Sequence, residues 1–221
     1  MATYGDMQAT IADEMANDGA ITTAHIQNGI KRAIRDYEGR PWWFNQKVAT
    51  FSTVANQEYY GSSDLADIPN IVRIDSAMIT YGGYKSPLAA VNFLDVDQEQ
   101  NASRIALPQA YTIYTNQIRL FPIPDAVYTV TLSYIYKFAE LSADADTNSW
   151  MNDCEELIRQ AAKKRIALDI LQADDLAARF AALEQKALDS TLEENRNRRP
   201  QKFLTSPAML PPRTFNILTG Y

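Results

Sequence analysis

Few side chains in this sequence can do covalent chemistry. Its 221 residues include one histidine, His25, and one cysteine, Cys154. A Ser-His-Asp relay would have to run through His25. That residue sits beside Ile26 near the first turn of a predicted helix, with no acid, serine or cysteine partner suggested nearby, and it reads as a surface residue. One histidine and one cysteine do not build a usual zinc site. Cys154 falls on an apolar helix face, where a small buried hydrophobe is expected rather than a nucleophile. Paired carboxylates, the kit of general acid–base chemistry, occur at Asp144 and Asp146, Asp174 and Asp175, and Glu193 and Glu194. All fall in polar linkers or at helix ends, where solvation accounts for them. No Gly-x-x-x-x-Gly-Lys-Ser/Thr or Gly-x-Gly-x-x-Gly occurs, and Gly82-Gly83 lacks a following helix to hold a phosphate. The expectation is a protein that is not an enzyme and needs no metal and no cofactor.

The remaining chemistry is that of surface contact. Twelve tyrosines and three tryptophans are present. Trp42, Trp43 and Phe44 stand together between Pro41 and Asn45, where helical periodicity gives way to strand periodicity. With Trp150, where helices resume, they are expected to pack as core aromatics at a structural junction. Charge is unevenly spread. The net charge is -6, yet from Arg196 to Tyr221 the chain carries Arg196, Arg198, Arg199, Lys202 and Arg213 and no acid. An acidic body does not favour phosphate-neutralising DNA binding. The basic end also carries Phe203, Leu204, Met209, Leu210, Phe215, Ile217, Leu218 and Tyr221, broken by Pro200, Pro207, Pro211 and Pro212. It reads as an extended arm that lies on an acidic protein surface, including another copy of the chain. No run approaches the ~18 apolar residues of a membrane span. Residues 1–17 lack the basic and apolar regions of a signal peptide, so synthesis in a cytoplasm is expected.

The elements that must position these groups follow from periodicity. Tyr4, Met7, Ile11 and Met15 mark a first helix. Thr22 or Thr23 caps a second, with the stripe Ile26, Ile30, Ala33, Ile34 and Tyr37, ended by Gly39 and Pro41. From Lys47 the period shifts to two. Strands are predicted near 47–53, 57–60, 71–80, 85–89, 110–114, 117–121 and 127–138, with turns at Gly82-Gly83 and Thr115-Asn116 and a short helix or loop at 91–101. Closely spaced hairpins imply a small antiparallel sandwich or barrel-like sheet. Trp150 opens a third helix whose apolar face takes in Cys154, Leu157, Ile158, Ala161, Leu168 and Leu171. After Ala173 a fourth carries Leu176, Phe180, Leu183, Ala187 and Leu192. Lys163, Lys164 and Arg165 read as a solvated helix face, with pairing to the acidic linker or a second chain as the alternative. The fold class is therefore α+β: a helical bundle built from both ends of the chain (1–45 and 141–199), an inserted antiparallel β domain (46–140) and an extended C-terminal arm (200–221).

This order of parts resembles the head-to-tail adaptor, or connector, proteins of tailed bacteriophages, in particular those of short-tailed phages. The resemblance runs over most of residues 20–199. It is carried by Ile26 through Trp43-Phe44-Asn45, by Pro108-x-x-Tyr111, by Ile118-x-Leu120-x-Pro122-x-Pro124-Asp125-x-x-Tyr128, and by Leu141-Ser142 through Asn148-x-Trp150. It implies a ring of about a dozen copies closed by heterologous contacts. The ring would sit between the portal protein of the capsid vertex and the tail, nozzle or tube protein, in the neck of the virion. DNA would slide through without specific binding, and no membrane would be involved. The contact residues expected on the arm are Arg196, Arg198, Arg199, Lys202, Phe203, Phe215 and Tyr221. The alternative is a phage tail component whose tyrosine-rich β region binds host surface glycan; a cell-wall hydrolase is a further rival.

Overall fold

Buried apolar residues fall into two clusters, one among helices and one between sheets. The computed structural model describes residues 2–15, 19–97 and 103–198. It is a mixed helical and largely antiparallel α+β structure. Arg199, Lys202, Phe203, Phe215 and Tyr221, and the whole of the arm expected at 200–221, lie outside the described residues.

Helix α1 (Tyr4–Glu14) starts where Thr3 and Asp6 exchange hydrogen bonds: Thr3 N–H donates to the Asp6 carboxylate and Asp6 N–H to Thr3 Oγ1. Helix α2 (Thr23–Glu38) starts the same way at Thr22, with His25 in the glutamate's place, so the lone histidine helps to cap its own helix. Its buried residues Ile26, Ile30, Ala33 and Tyr37 follow the 3.6 period. Near the C-terminal end lie α4 (Ser149–Asn152), α5 (Glu155–Ile166) and α6 (Asp174–Arg198). Helix α5 packs on both α2 and α6. The α2–α5 approach is close: a Cβ at Gly29 would come within 3.3 Å of the Ala162 carbonyl oxygen. Tyr4, Met7 and Ile11 of α1 share this core with Ile30, Leu157, Ile158 and Phe180.

The expected third helix is interrupted twice. Residues 153–154 leave helical geometry between α4 and α5, and a π-helical turn (Ala167–Leu171) follows α5, closed by Gln172 in the left-handed region (φ 50°). The wider turn rotates the helix face, so Leu168 points to solvent instead of joining the apolar face. On α6 the fully buried positions are Ala177, Phe180, Glu184, Leu188, Thr191 and Asn195. Leu176, Ala187 and Leu192 flank this stripe, and Leu183 is exposed. The expected face is rotated because buried Glu184 and Asn195 of α6 find partners on other elements, as described below.

Strands β1 (Gln46–Ser52), β8 (Thr129–Tyr136), β3 (Ile71–Tyr81) and β4 (Tyr84–Pro87) form one antiparallel sheet in the order β1-β8-β3-β4. The second has the order β2-β7-β6-β5: β2 (Tyr59–Tyr60), β7 (Gln117–Phe121), β6 (Ala110–Tyr114) and β5 (Ala89–Ala90). In β8, Val130, Leu132 and Tyr134 alternate inward to meet Phe51, Tyr60, Ile79, Ile118 and Leu120. Thr115 and Asn116 both take positive φ, the geometry of a tight hairpin between β6 and β7. Three expectations are corrected. The 85–89 strand is split, because the chain crosses at buried Leu88 from one sheet to the other. Strand β5 then pairs with β6 in parallel, not antiparallel. Strand β8 begins at Thr129, after an exposed Val127. A short helix α3 (Phe93–Asp97) follows β5.

Candidate assembly site: the aromatic junction and the root of the arm

The chain leaves α2 through a turn locked by Asn45. Its side-chain oxygen accepts the Trp42 N–H at 2.8 Å, and its amide donates to the carbonyls of Arg40 (2.9 Å) and Glu38 (3.3 Å). The Trp42 indole N–H donates to the Tyr37 carbonyl at 2.9 Å. With its polar atom satisfied, the ring is fully buried. Trp42 stacks parallel to Phe44, and Trp150 meets both edge-on, with centroids 6.2 Å from Trp42 and 5.0 Å from Phe44. Trp43 meets Phe44 edge-on at 5.1 Å. The four predicted junction residues thus touch one another. Phe138 and Tyr136, at the exit of β8, extend the cluster, so the way into and out of the β region is joined by rings.

Helix α6 ends at this junction. The Asn195 amide donates to the Pro41 carbonyl at 3.1 Å. The Arg198 guanidinium lies 4.5 Å from the Trp43 ring centroid while pairing with Glu194 one turn back. Arg198, expected as an arm contact, is thus engaged by Trp43 and Glu194, and both it and Arg196 are exposed on the last turn of α6. Asn195 escaped sequence reading. The signal available was a polar residue seven positions beyond Leu188 and four beyond Thr191, in register with the buried face.

The basic run on α5 is not a solvated face. Lys163 is buried, donates to Glu14 of α1 at 2.6 Å and lies over the Phe180 ring. Lys164 pairs with Glu184 of α6, and Arg165 with Asp36 of α2. Three consecutive cations thus reach three different helices. Tyr37 donates to Glu184 Oε1 at 2.6 Å; burial, that hydrogen bond and the glutamate charge push its hydroxyl well above the ordinary tyrosine range. Cys154 is buried, and its thiol is pushed up to about 12 by burial and by Asp153 and Glu194. This suits the packing role expected of it.

The carboxylates of the 142–149 linker also have partners. Asp146 accepts the N–H groups of Ser142 and Ala143, both at 2.8 Å, which holds its carboxyl below the usual range. Asp144 accepts from Gln8 of α1, and the Tyr4 and Gly5 N–H groups donate to the Asp146 and Asp144 carbonyls. Among the described residues, no cluster of His, Cys, Asp and Glu has the makings of a metal site, and no helix is long and apolar enough to cross a membrane.

The aromatic junction thus joins the helices to the sheets, and α6 reaches it through Asn195 and Arg198. The family model described as SU10 adaptor protein matches residues 2–207, and the chain belongs to that family. The membership agrees with the resemblance to phage head-to-tail adaptors seen in the sequence. No curated protein matches the chain.

Proposed function

We propose that this chain is the adaptor ring between the portal and the tail of a tailed phage, extending the DNA channel at the one capsid vertex that carries the tail. The observation that carries the reading is the family match over residues 2–207, which takes in both the helices and the sandwich. In this reading residues 1–45 and 141–199 form the ring body, and 46–140 are an inserted domain. Residues 200–221 are an arm that clamps the portal or a neighbouring copy. The ring holds about a dozen copies, closed by two different complementary patches per chain. An acidic body lets DNA slide past by like-charge repulsion instead of holding it. The tail nozzle or tube docks below, and the chain acts in the virion neck after synthesis in the host cytoplasm. It works as a scaffold, without catalysis or cofactor.

The arm contacts proposed are Arg196, Arg199, Lys202, Phe203, Phe215 and Tyr221, with Arg198 holding the root against Trp43. That root contact dictates the test. A chain ending at Arg198 keeps the Asn195 and Arg198 contacts and is expected to unfold at the same temperature as the full chain while failing to join the portal. Normal incorporation of that truncated chain would overturn the arm's role.

A further inference from the structure

A groove of about 690 Å³ opens on one side of the sandwich, between β3 and β6. Its walls include Val72 and Ile74 of β3, Val91, Leu94 of α3, and Tyr111 and Ile113 of β6. Val72, Leu94, Ile113 and the adjacent Tyr114 are exposed, and Tyr114 is held in place by stacking on Phe93 at 4.0 Å. Apolar side chains gathered this way mark a contact surface.

The groove also has backbone to offer. In an antiparallel ladder, alternate residues turn their N–H and C=O groups toward opposite neighbours. The carbonyls of Gln109 and Tyr111, two residues apart, both turn to the groove side and accept the N–H groups of Ala89 and Val91. Ile113 therefore faces the groove as Tyr111 does, but β5 stops at Ala90 and covers only Ala110 and Tyr111. Across the groove, β4 pairs with Met78–Tyr81, and Leu88 N–H reaches Ala77. Among the described residues, no strand covers positions 71–76 of β3 on that side. Two open strand edges thus flank an apolar groove, the geometry that accepts an added strand.

The sequence holds a matching segment. Past Pro212, residues Thr214-Phe215-Asn216-Ile217-Leu218-Thr219 are proline-free and rich in β-branched and aromatic side chains. The charged side chains of residues 199–221 are all positive, while Asp75, Asp95 and Asp97 are exposed near the groove, Asp75 paired with Arg73 and Asp97 with Arg119. From the root at Arg198, residues 199–213 can span roughly 50 Å when extended. The whole of α6 is only ~37 Å long.

We infer that the groove receives residues 214–219 of a neighbouring copy, added as a strand along β6. The inference rests on the ring reading above and names the surface on which one copy holds the next. Basic, apolar arm and acidic-rimmed, apolar groove are two different patches of one chain, as a closed head-to-tail ring requires.

The test places a photo-crosslinking benzophenone amino acid at position 215 in full chains, half of them labelled with 15N. They are mixed and assembled with the portal, and assembly is read separately by native mass spectrometry. The expected result is crosslinks from 215 to the peptide spanning 110–116 that join labelled to unlabelled chains. Ile113→Asp, on a chain shown folded by circular dichroism, should abolish them. Crosslinks confined to single chains would mean that each arm fills its own groove, and would overturn the inference. So would crosslinks only to portal, or none at that peptide in a ring that has formed; both leave the adaptor reading standing. Failure to assemble at all would bring down both.

Discussion

Ten of the twelve large apolar side chains left exposed among the described residues lie in 46–140; only Leu168 and Leu183 belong to the N- and C-terminal helical region. Charge follows the opposite pattern. In the helical region even buried Lys163 and Glu184 meet partners from other helices, and the Asp144 carboxylate of the linker is tied to Gln8 of α1. The sandwich buries one cation, Arg119, against Glu58, yet leaves Val48, Val72, Tyr84, Leu94, Ile113 and Val127 facing outward. A region whose buried charges pair internally and whose large apolar side chains are mostly covered has less surface to offer a second chain. A region with unmatched apolar surface and open strand edges is built to meet one. The helices read as a framework and the sandwich as the surface presented to others.

The comparison can be broken first at its hinge. Trp42→Ala removes a fully buried ring that touches both Phe44 and Trp150. It should cost ~3–5 kcal/mol in urea unfolding. Hydrogen exchange should show the helices losing protection before the β8 amides; simultaneous loss throughout would mean the two regions are one cooperative unit.

A smaller effect comes from the ion pairs. Lys164→Ala leaves the buried Glu184 carboxylate with Tyr37 as its remaining partner. The expected loss is about 2 kcal/mol, reduced from a fully buried pair because Lys164 is partly exposed. The double change Lys164→Met and Glu184→Met should recover most of it. A double variant as unstable as the single one would show that the pair contributes more than mutual compensation.

Acid should separate the regions further. The Asp6 carboxyl is held low by its hydrogen bonds from Thr3, and that of Asp146 by those from Ser142 and Ala143. Both folded values lie below the unfolded one. Their contribution is therefore complete above the ordinary aspartate value of ~3.9 and fades as pH falls through the folded values. Both groups anchor α1 or the linker bonded to it, so α1 should fray first below about pH 4. Earlier loss of protection in β8 would contradict this. Least visible in unfolding is Ile113→Lys, expected within ~0.5 kcal/mol of the parent. It should nevertheless impair ring formation, since Ile113 lines the open groove.

How far the sequence foretold this depends on the range of the interactions. The Thr115-Asn116 hairpin and the Thr22 cap are local chemistry, and they were legible. So was the aromatic junction, because three large rings beside a proline mark a change of element. The Thr3 cap of α1 went unread. The partners of Lys163, Lys164 and Arg165 lie 149, 20 and 129 residues away. A periodicity that records only neighbours on one helix cannot name them. The rotated face of α6 follows from the same cause: Glu184 and Asn195 look solvent-bound until Lys164, Tyr37 and Pro41 stand opposite them. The parallel β5–β6 pairing depends on a crossing at Leu88 that no two-residue period announces.

The central claim is that the chain closes into a ring on the portal. Native mass spectrometry of the purified chain over a wide concentration range, repeated with the portal ring of the same phage, tests it most directly. The account predicts a single closed assembly of adaptor copies, alone or on the portal. A chain that stays monomeric at every concentration, with the portal present, would contradict it.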